Sequence, residues 1–108
     1  MAKFKFKGET IEDIEDEIER LCTLNSTEIP LNHIIKVAKA LGVEHITGQN
    51  TGSMVRFCHP DVETCGHYFG VHKIHKGGED AVLKVNFKKY MAPRLREIIL
   101  KKKEQIAR

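Results

Sequence analysis

Gly52-Ser53-Met54-Val55-Arg56-Phe57-Cys58-His59-Pro60-Asp61 reads as a tight Gly-Ser turn, a short alternating strand and a His-Pro-Asp turn. Successive side chains of a strand point to opposite faces, so Val55 and Phe57 share one face and Met54, Arg56 and Cys58 the other. The first face is wholly apolar and suits a core. The second carries a guanidinium beside two sulfur groups and suits a surface with work to do.

Working outward, residues 59–66 read as a loop and His67 to His75 as a second strand. Gly70 within it marks either a bulge or a close backbone approach, and Gly77-Gly78 breaks it. Leu83, Val85 and Phe87 alternate and predict a third strand. A closing helix follows over roughly Lys88 to Gln105, with the stripe Leu95, Ile98 and Ile99 and a further candidate in Ile106. Pro93 needs to lie in or near its first turn, because proline lacks the amide proton that a helix interior requires.

Upstream, Leu31, Ile34, Ile35, Ala38 and Leu41 form one apolar stripe, with Pro30 suited to the first turn and Gly42 to the left-handed position after the last. Val43 to Ile46 can be a short strand, and residues 48–52 are a turn. Thr10 is a plausible N-cap for a helix from about Ile11 to Leu21, with Ile14 and Ile18 on its inner face. Lys3-Phe4-Lys5-Phe6-Lys7 alternates as a lysine-guarded edge strand, Gly8 ends it, and Asn25-Ser26-Thr27 is loop. Strands bracketed by helices predict an α+β fold with helices packed on one sheet face and the other face open.

The chain has 108 residues, enough for one modest core. Three cysteines, Cys22, Cys58 and Cys65, are an odd number and fit a reducing compartment rather than a disulfide framework. No apolar run approaches the roughly 20 residues of a membrane span, and no signal-peptide core opens the chain. A cytoplasmic location is expected, with no membrane partner. Net charge is +3, but it is unevenly spread. Residues 9–28 hold eight acids and one base, Arg20, while residues 83–108 hold nine bases against Glu97 and Glu104. A basic end of this kind meets a polyanion, meets the chain's own acidic segment, or is a solvated helix face. Charge alone does not choose among these.

From Pro30 to about Lys103 the chain resembles the HicA-type mRNA interferase toxins. The elements that carry the resemblance are Ala40-Leu41-Gly42-Val43 at a helix end, Thr51-Gly52-Ser53 ahead of Val55-Arg56-Phe57, and His59-Pro60-Asp61 at the strand exit. After these come Val71-His72-Lys73-Ile74-His75, the Gly77-Gly78 exit and Leu95-Arg96-Glu97-Ile98-Ile99. The resemblance implies an α-β-β-β-α core like that of double-stranded-RNA-binding domains, spanning residues 30–108. Residues 1–29 would form an N-terminal extension made of the extra strand and acidic helix. It also implies metal-independent endoribonuclease activity on mRNA, no cofactor, and neutralisation by a HicB-like antitoxin protein.

Family members carry Gly-Ser-His at the turn, and that histidine is the catalytic one. Here the triplet is Gly52-Ser53-Met54, and methionine neither takes nor donates a proton. The chain is then either a diverged interferase or a cleavage-inactive relative. Metal-free RNA cleavage needs a base for the 2′-hydroxyl, an acid for the leaving oxygen and a cation for the phosphorane. Imidazoles suit the first two and a guanidinium the third. His59 and His72 are the substitute acid–base candidates, with Arg56 as the cation. The expected RNA contacts are Ser53 at the turn and Lys73, Lys76, Lys84, Lys88, Lys89, Arg94 and Arg96 on phosphates.

Cys58, His59, Cys65 and His67 carry zinc-ligand chemistry, but without the paired spacing that pre-organises a knuckle, and two small buried thiols explain the cysteines equally well. A Cys–His nucleophile pair has no local support beyond composition. The acidic helix is either a solvated face or a cover over the basic one. A rival function is a protein–protein interaction module, since Ile11 to Ile46 is faintly similar to the C-terminal regulatory domain of transcription-repair coupling translocases.

Overall fold

The computed structural model describes residues 10–46, 54–76 and 78–106. The expected strand at Lys3–Lys7 and the turn at residues 48–52 lie outside the described residues. Helix α1 runs Ile11–Thr23, β1 Glu28–Pro30, α2 Leu31–Ala40, β2 Glu44–Ile46, β3 Met54–Cys58, β4 Tyr68–His72, β5 Ile74–Lys76 and β6 Glu79–Leu83. Helix α3, Lys84–Asn86, continues through a π-helical turn, Phe87–Met91, into α4, Ala92–Ile106. The architecture is α+β.

Two small antiparallel sheets form, in the orders β2-β3-β4 and β1-β6-β5. They meet at Lys73, the one residue between β4 and β5. The single strand expected over His67–His75 is therefore two. Its first half pairs with β3, and its second half turns away to pair with β6 across a two-residue connection, with Lys76 opposite Glu79. Gly78 in that turn has φ of +84°, a conformation glycine adopts without steric penalty. Strand β1 was not foreseen. Proline is tolerated on an edge strand, and Glu28–Pro30 pairs along Leu83–Ala81 of β6.

Helix ends follow local chemistry. Thr10 Oγ1 accepts the Asp13 amide at 3.1 Å, the N-cap bond that satisfies one orphan donor of the first turn. At the end of α2 the Val43 amide reaches the Ala38 carbonyl at 3.0 Å and the Gly42 amide the Lys39 carbonyl at 2.9 Å. With Gly42 at φ +82°, this is a Schellman cap.

The last helix departs from expectation. The strand placed over Leu83–Phe87 ends at Leu83, and the chain is helical from Lys84. Phe87, Met91 and Leu95 recur every four residues and are all fully buried, so they extend the α4 stripe rather than alternate in a strand. Pro93 consequently lies inside a helix. The π turn ahead of it accommodates the ring, with the Ala92 amide reaching five residues back to the Phe87 carbonyl. Ile106 is exposed and not part of the stripe.

The core collects Ile18, Leu21, Ile29, Ile34, Val37, Leu41, Phe57, Phe87, Leu95 and Ile98, each with at most 1% exposure. Phe57 and Phe69 stack within it at 5.6 Å between ring centroids. The residues set apart in sequence as an N-terminal extension share this core through Ile14, Ile18, Leu21 and Cys22 of α1 and Ile29 of β1. Among the described residues no helix is long and apolar enough to cross a membrane.

Candidate nucleic-acid interface

Strand β3 carries the two faces its alternation demands. Val55 and Phe57 are buried, Arg56 is exposed, and Met54 and Cys58 are half-buried. Its register with β4 pairs Met54 with His72, Arg56 with Gly70 and Cys58 with Tyr68. On the other side β2 sets Ile46 opposite Arg56 and Glu44 opposite Cys58. One face of this sheet, opposite the helices, therefore presents Arg56, Tyr68 and His72 to solvent, with Met54 between Arg56 and His72.

Gly70 keeps that face flat. A Cβ there would lie 2.6 Å from the Val55 carbonyl oxygen and 3.0 Å from Met54 Sδ. The expected close backbone approach is thus present, in an unbulged register. Tyr90 of the π turn reaches the edge of β4 and, with Met54, Gly70, Val71 and His72, lines a groove of about 190 Å³. Lys89 Nζ stands 5.3 Å from the Tyr90 ring centroid, within cation–π range.

Of the candidate catalytic residues, the acid–base candidate His72 and the cation Arg56 share the open face. Arg56 and His72 sit diagonally on neighbouring strands, a spacing of roughly 7–8 Å between Cα atoms. His59 is elsewhere. It is 7% exposed, and its parity in β3 carries it to the core side with Val55 and Phe57. Its Nδ1 accepts the Asp61 amide at 3.1 Å, and its carbonyl accepts the Val62 amide at 3.1 Å, so it holds the turn after β3. Burial pushes its pKa below the ordinary value, which the Asp61 carboxylate opposes and Lys102 reinforces.

The basic side chains divide into engaged and available ones. Lys73 donates to Asp80 at 2.8 Å, beside a bond of the same length from His75 Nδ1 to Asp80. Lys84 caps the end of α1 by donating to the Leu24 carbonyl at 2.6 Å. Arg94 pairs with Glu97 at 3.1 Å and Arg96 with Glu19 at 3.5 Å. Lys88 and Lys89 are exposed and, with Arg56, make no ion pair among the described residues. Ser53 and the Lys76 side chain lie outside what the structure describes. The acidic helix does lie along the basic one, with Glu15 on Lys103 at 2.9 Å in addition to Glu19 on Arg96.

No cluster of three or more histidine, cysteine or acidic side chains that could hold a metal occurs among the described residues. His67 Nδ1 donates to the Val62 carbonyl at 2.9 Å, and the Cys65 side chain lies outside the description. Cys58 donates to Glu44 Oε1 at 3.7 Å. Burial and then the Glu44 carboxylate push its thiol pKa up, so it is not an activated thiolate.

Sequence reasoning passed over two groups. Tyr68 and Tyr90 were not singled out, although Tyr68 has the same parity on β4 as Gly70 and His72. The second is a buried cluster between α1 and α2. Glu17 accepts from Arg20 at 2.8 and 2.7 Å, and His33 Nε2 donates to it at 2.5 Å. Burial is the largest influence on Glu17 and raises its pKa, but the Arg20 and His33 bonds together outweigh it and hold the carboxyl below its usual range.

Comparison with protein-family models, curated proteins and solved structures returns no match to this chain.

Proposed function

We propose that this chain is a small RNA-binding domain of the HicA-like type, with the open face of β2-β3-β4 as its RNA-facing surface. The observation that carries the reading is the placement of Arg56 and His72 on that face, around Met54, with Lys89 at its rim. We read α2, β2, β3, β4 and the closing helix as the α-β-β-β-α order of a double-stranded-RNA-binding-domain-like core, interrupted by β5 and β6 before the closing helix. Strands β1, β5 and β6 are additions to it. A HicB-like antitoxin protein would act by covering the same face.

The geometry supports binding better than cleavage. Transesterification needs one group to take the 2′-hydroxyl proton while its oxygen attacks phosphorus, and another to protonate the departing 5′-oxygen. His72 suits either role and Arg56 the phosphorane charge, but the position directly opposite His72 is Met54, and His59 is buried on the other side of the strand. One imidazole on the face leaves the acid–base pair incomplete.

Met54→His tests this directly, because directly opposed residues of an antiparallel pair hold their Cβ atoms about 4.5–5.5 Å apart, close enough for two imidazoles to serve one phosphate. A defined mRNA incubated with wild type should be bound and left intact, whereas Met54→His should cut it and Met54→His with His72→Ala should not. Absence of RNA binding by wild type at low salt would refute the assignment. The rival reading, a protein-docking module, is favoured by one feature: the ion pairs that already occupy Arg94 and Arg96. In that case a protein partner would be retained with no RNA effect.

A further inference from the structure

We infer that the open sheet face takes single-stranded RNA, with unpaired bases stacked on Tyr68 and Tyr90, and that it discriminates against duplex. The inference rests on the RNA-binding reading above and specifies which form of RNA the face admits.

Three observations carry it. Tyr68 is 52% exposed and Tyr90 47%. Large aromatic rings left in solvent on one face are stacking platforms when cations surround them. The rings flank a flat strip. Tyr68 and His72 are four residues apart on β4, a span of roughly 13 Å, and between them Gly70 offers no side chain. No other residue could keep that strip, because a Cβ at Gly70 would collide with the Val55 carbonyl. The available positive charge is also local: Arg56 lies in the middle of the face and Lys89 lies beside Tyr90.

A duplex cannot use these features. Its bases are stacked on one another and show only their edges, so recognition of double-stranded RNA relies on 2′-hydroxyl and phosphate contacts across a wide minor groove. A flat face with exposed rings contributes little to such contacts. Splayed bases of a single strand, in contrast, lay their π faces on aromatic side chains and leave the phosphates to Arg56 and Lys89. The groove of about 190 Å³ beneath Tyr90 is lined by Met54, Gly70 and His72, so a base lodged there would place its ribose close to the His72 imidazole. That juxtaposition is what the Met54→His experiment exploits.

The test is fluorescence anisotropy at fixed ionic strength with a labelled, unstructured oligoribonucleotide, alone and annealed to its complement. Wild type should bind the single strand more tightly than the duplex. Tyr68→Ala and Tyr90→Ala should each weaken single-strand binding by about five- to a hundred-fold, the range expected for loss of one stacked base. Tyr68→Phe and Tyr90→Phe should bind like wild type, since the ring is kept. Both tyrosines are solvent-exposed, and far-ultraviolet circular dichroism of the alanine variants checks that they fold. Equal or tighter duplex binding overturns the inference, as do alanine variants that bind like wild type; either result leaves the RNA reading intact if Arg56→Ala still weakens binding. Failure of wild type to bind either form overturns both.

Discussion

Glu17→Gln should destabilise the protein by about 2–3 kcal/mol, and the number follows from the geometry of one buried cluster. Glu17 is 8% exposed and accepts three short hydrogen bonds, two from Arg20 and one from His33. Hydrogen bonds to a charged group contribute about 1.5–3 kcal/mol each when buried. The His33 bond qualifies, with that side chain 2% exposed. The Arg20 side chain is 38% exposed, so its bonds are screened and fall nearer the 0.2–1 kcal/mol of a surface pair. Glutamine keeps the volume but loses the charge and turns an amide toward the guanidinium. Arg20→Ala should therefore cost no more than about 1 kcal/mol.

The same cluster predicts an acid dependence. A carboxyl held below its ordinary value of 4.5 contributes stability that is fully present above that value and is lost as pH falls through the folded one. Wild type should weaken on acidification below about pH 5 more steeply than Glu17→Gln. Urea unfolding across that range measures both quantities, and thermal melts should place Glu17→Gln roughly 9–13 °C below wild type near neutral pH. Stability within about 0.5 kcal/mol of wild type, or parallel acid limbs, would refute the reasoning.

Gly70→Ala should cost about 1–3 kcal/mol in the same urea assay, because relieving a 2.6 Å contact with the Val55 carbonyl moves backbone and not a flexible side chain. His59 should titrate below an ordinary histidine when followed by NMR, and since burial disfavours its charged form, protonating it should destabilise the fold. A His59 midpoint at or above the free-histidine value of about 6.5 would contradict its placement in the core-side turn.

What could be read in advance was local. The bounds and both faces of β3 follow from period-two alternation, and the α2 stop follows from Gly42. His59 was legible too, since residues 55, 57 and 59 share parity, and its choice as a surface base overlooked that. The π turn was half legible. The fourfold spacing of Phe87, Met91 and Leu95 shows a helix, but Val85 and Phe87 also fit a strand until β6 is seen to end at Leu83. Other features depended on pairing between distant residues. Glu28–Pro30 is a strand only because β6 lies beside it, and Glu17 meets His33 sixteen positions away. Tyr90 joins the candidate face only because the helix carries it to the edge of β4.

The charge pattern, which alone did not choose a partner, now yields a number. Seven basic residues, Lys73, Lys76, Lys84, Lys88, Lys89, Arg94 and Arg96, were expected on phosphates. Each phosphate neutralised on a single strand contributes about −0.7 to the slope of log affinity against log salt, so seven contacts predict a slope of about −5. Lys73, Lys84, Arg94 and Arg96 are already engaged within the fold. Arg56 and Lys89 are left on or near the open face, whereas Lys88 acts on Cys22 of α1 on the helix side, and two contacts give a slope of about −1.4. The difference reports on the acidic helix. Because α1 is built into the core, removing it would unfold the protein, and the cleaner perturbation is Glu15→Gln with Glu19→Gln, which frees Lys103 and Arg96 without touching apolar packing. If RNA lies on the sheet face alone, the slope stays at about −1.4 in this double variant. A slope that steepens toward −3 or beyond would show that α4 also meets the strand, with α1 competing for its positive charge, and would refute an interface confined to the sheet.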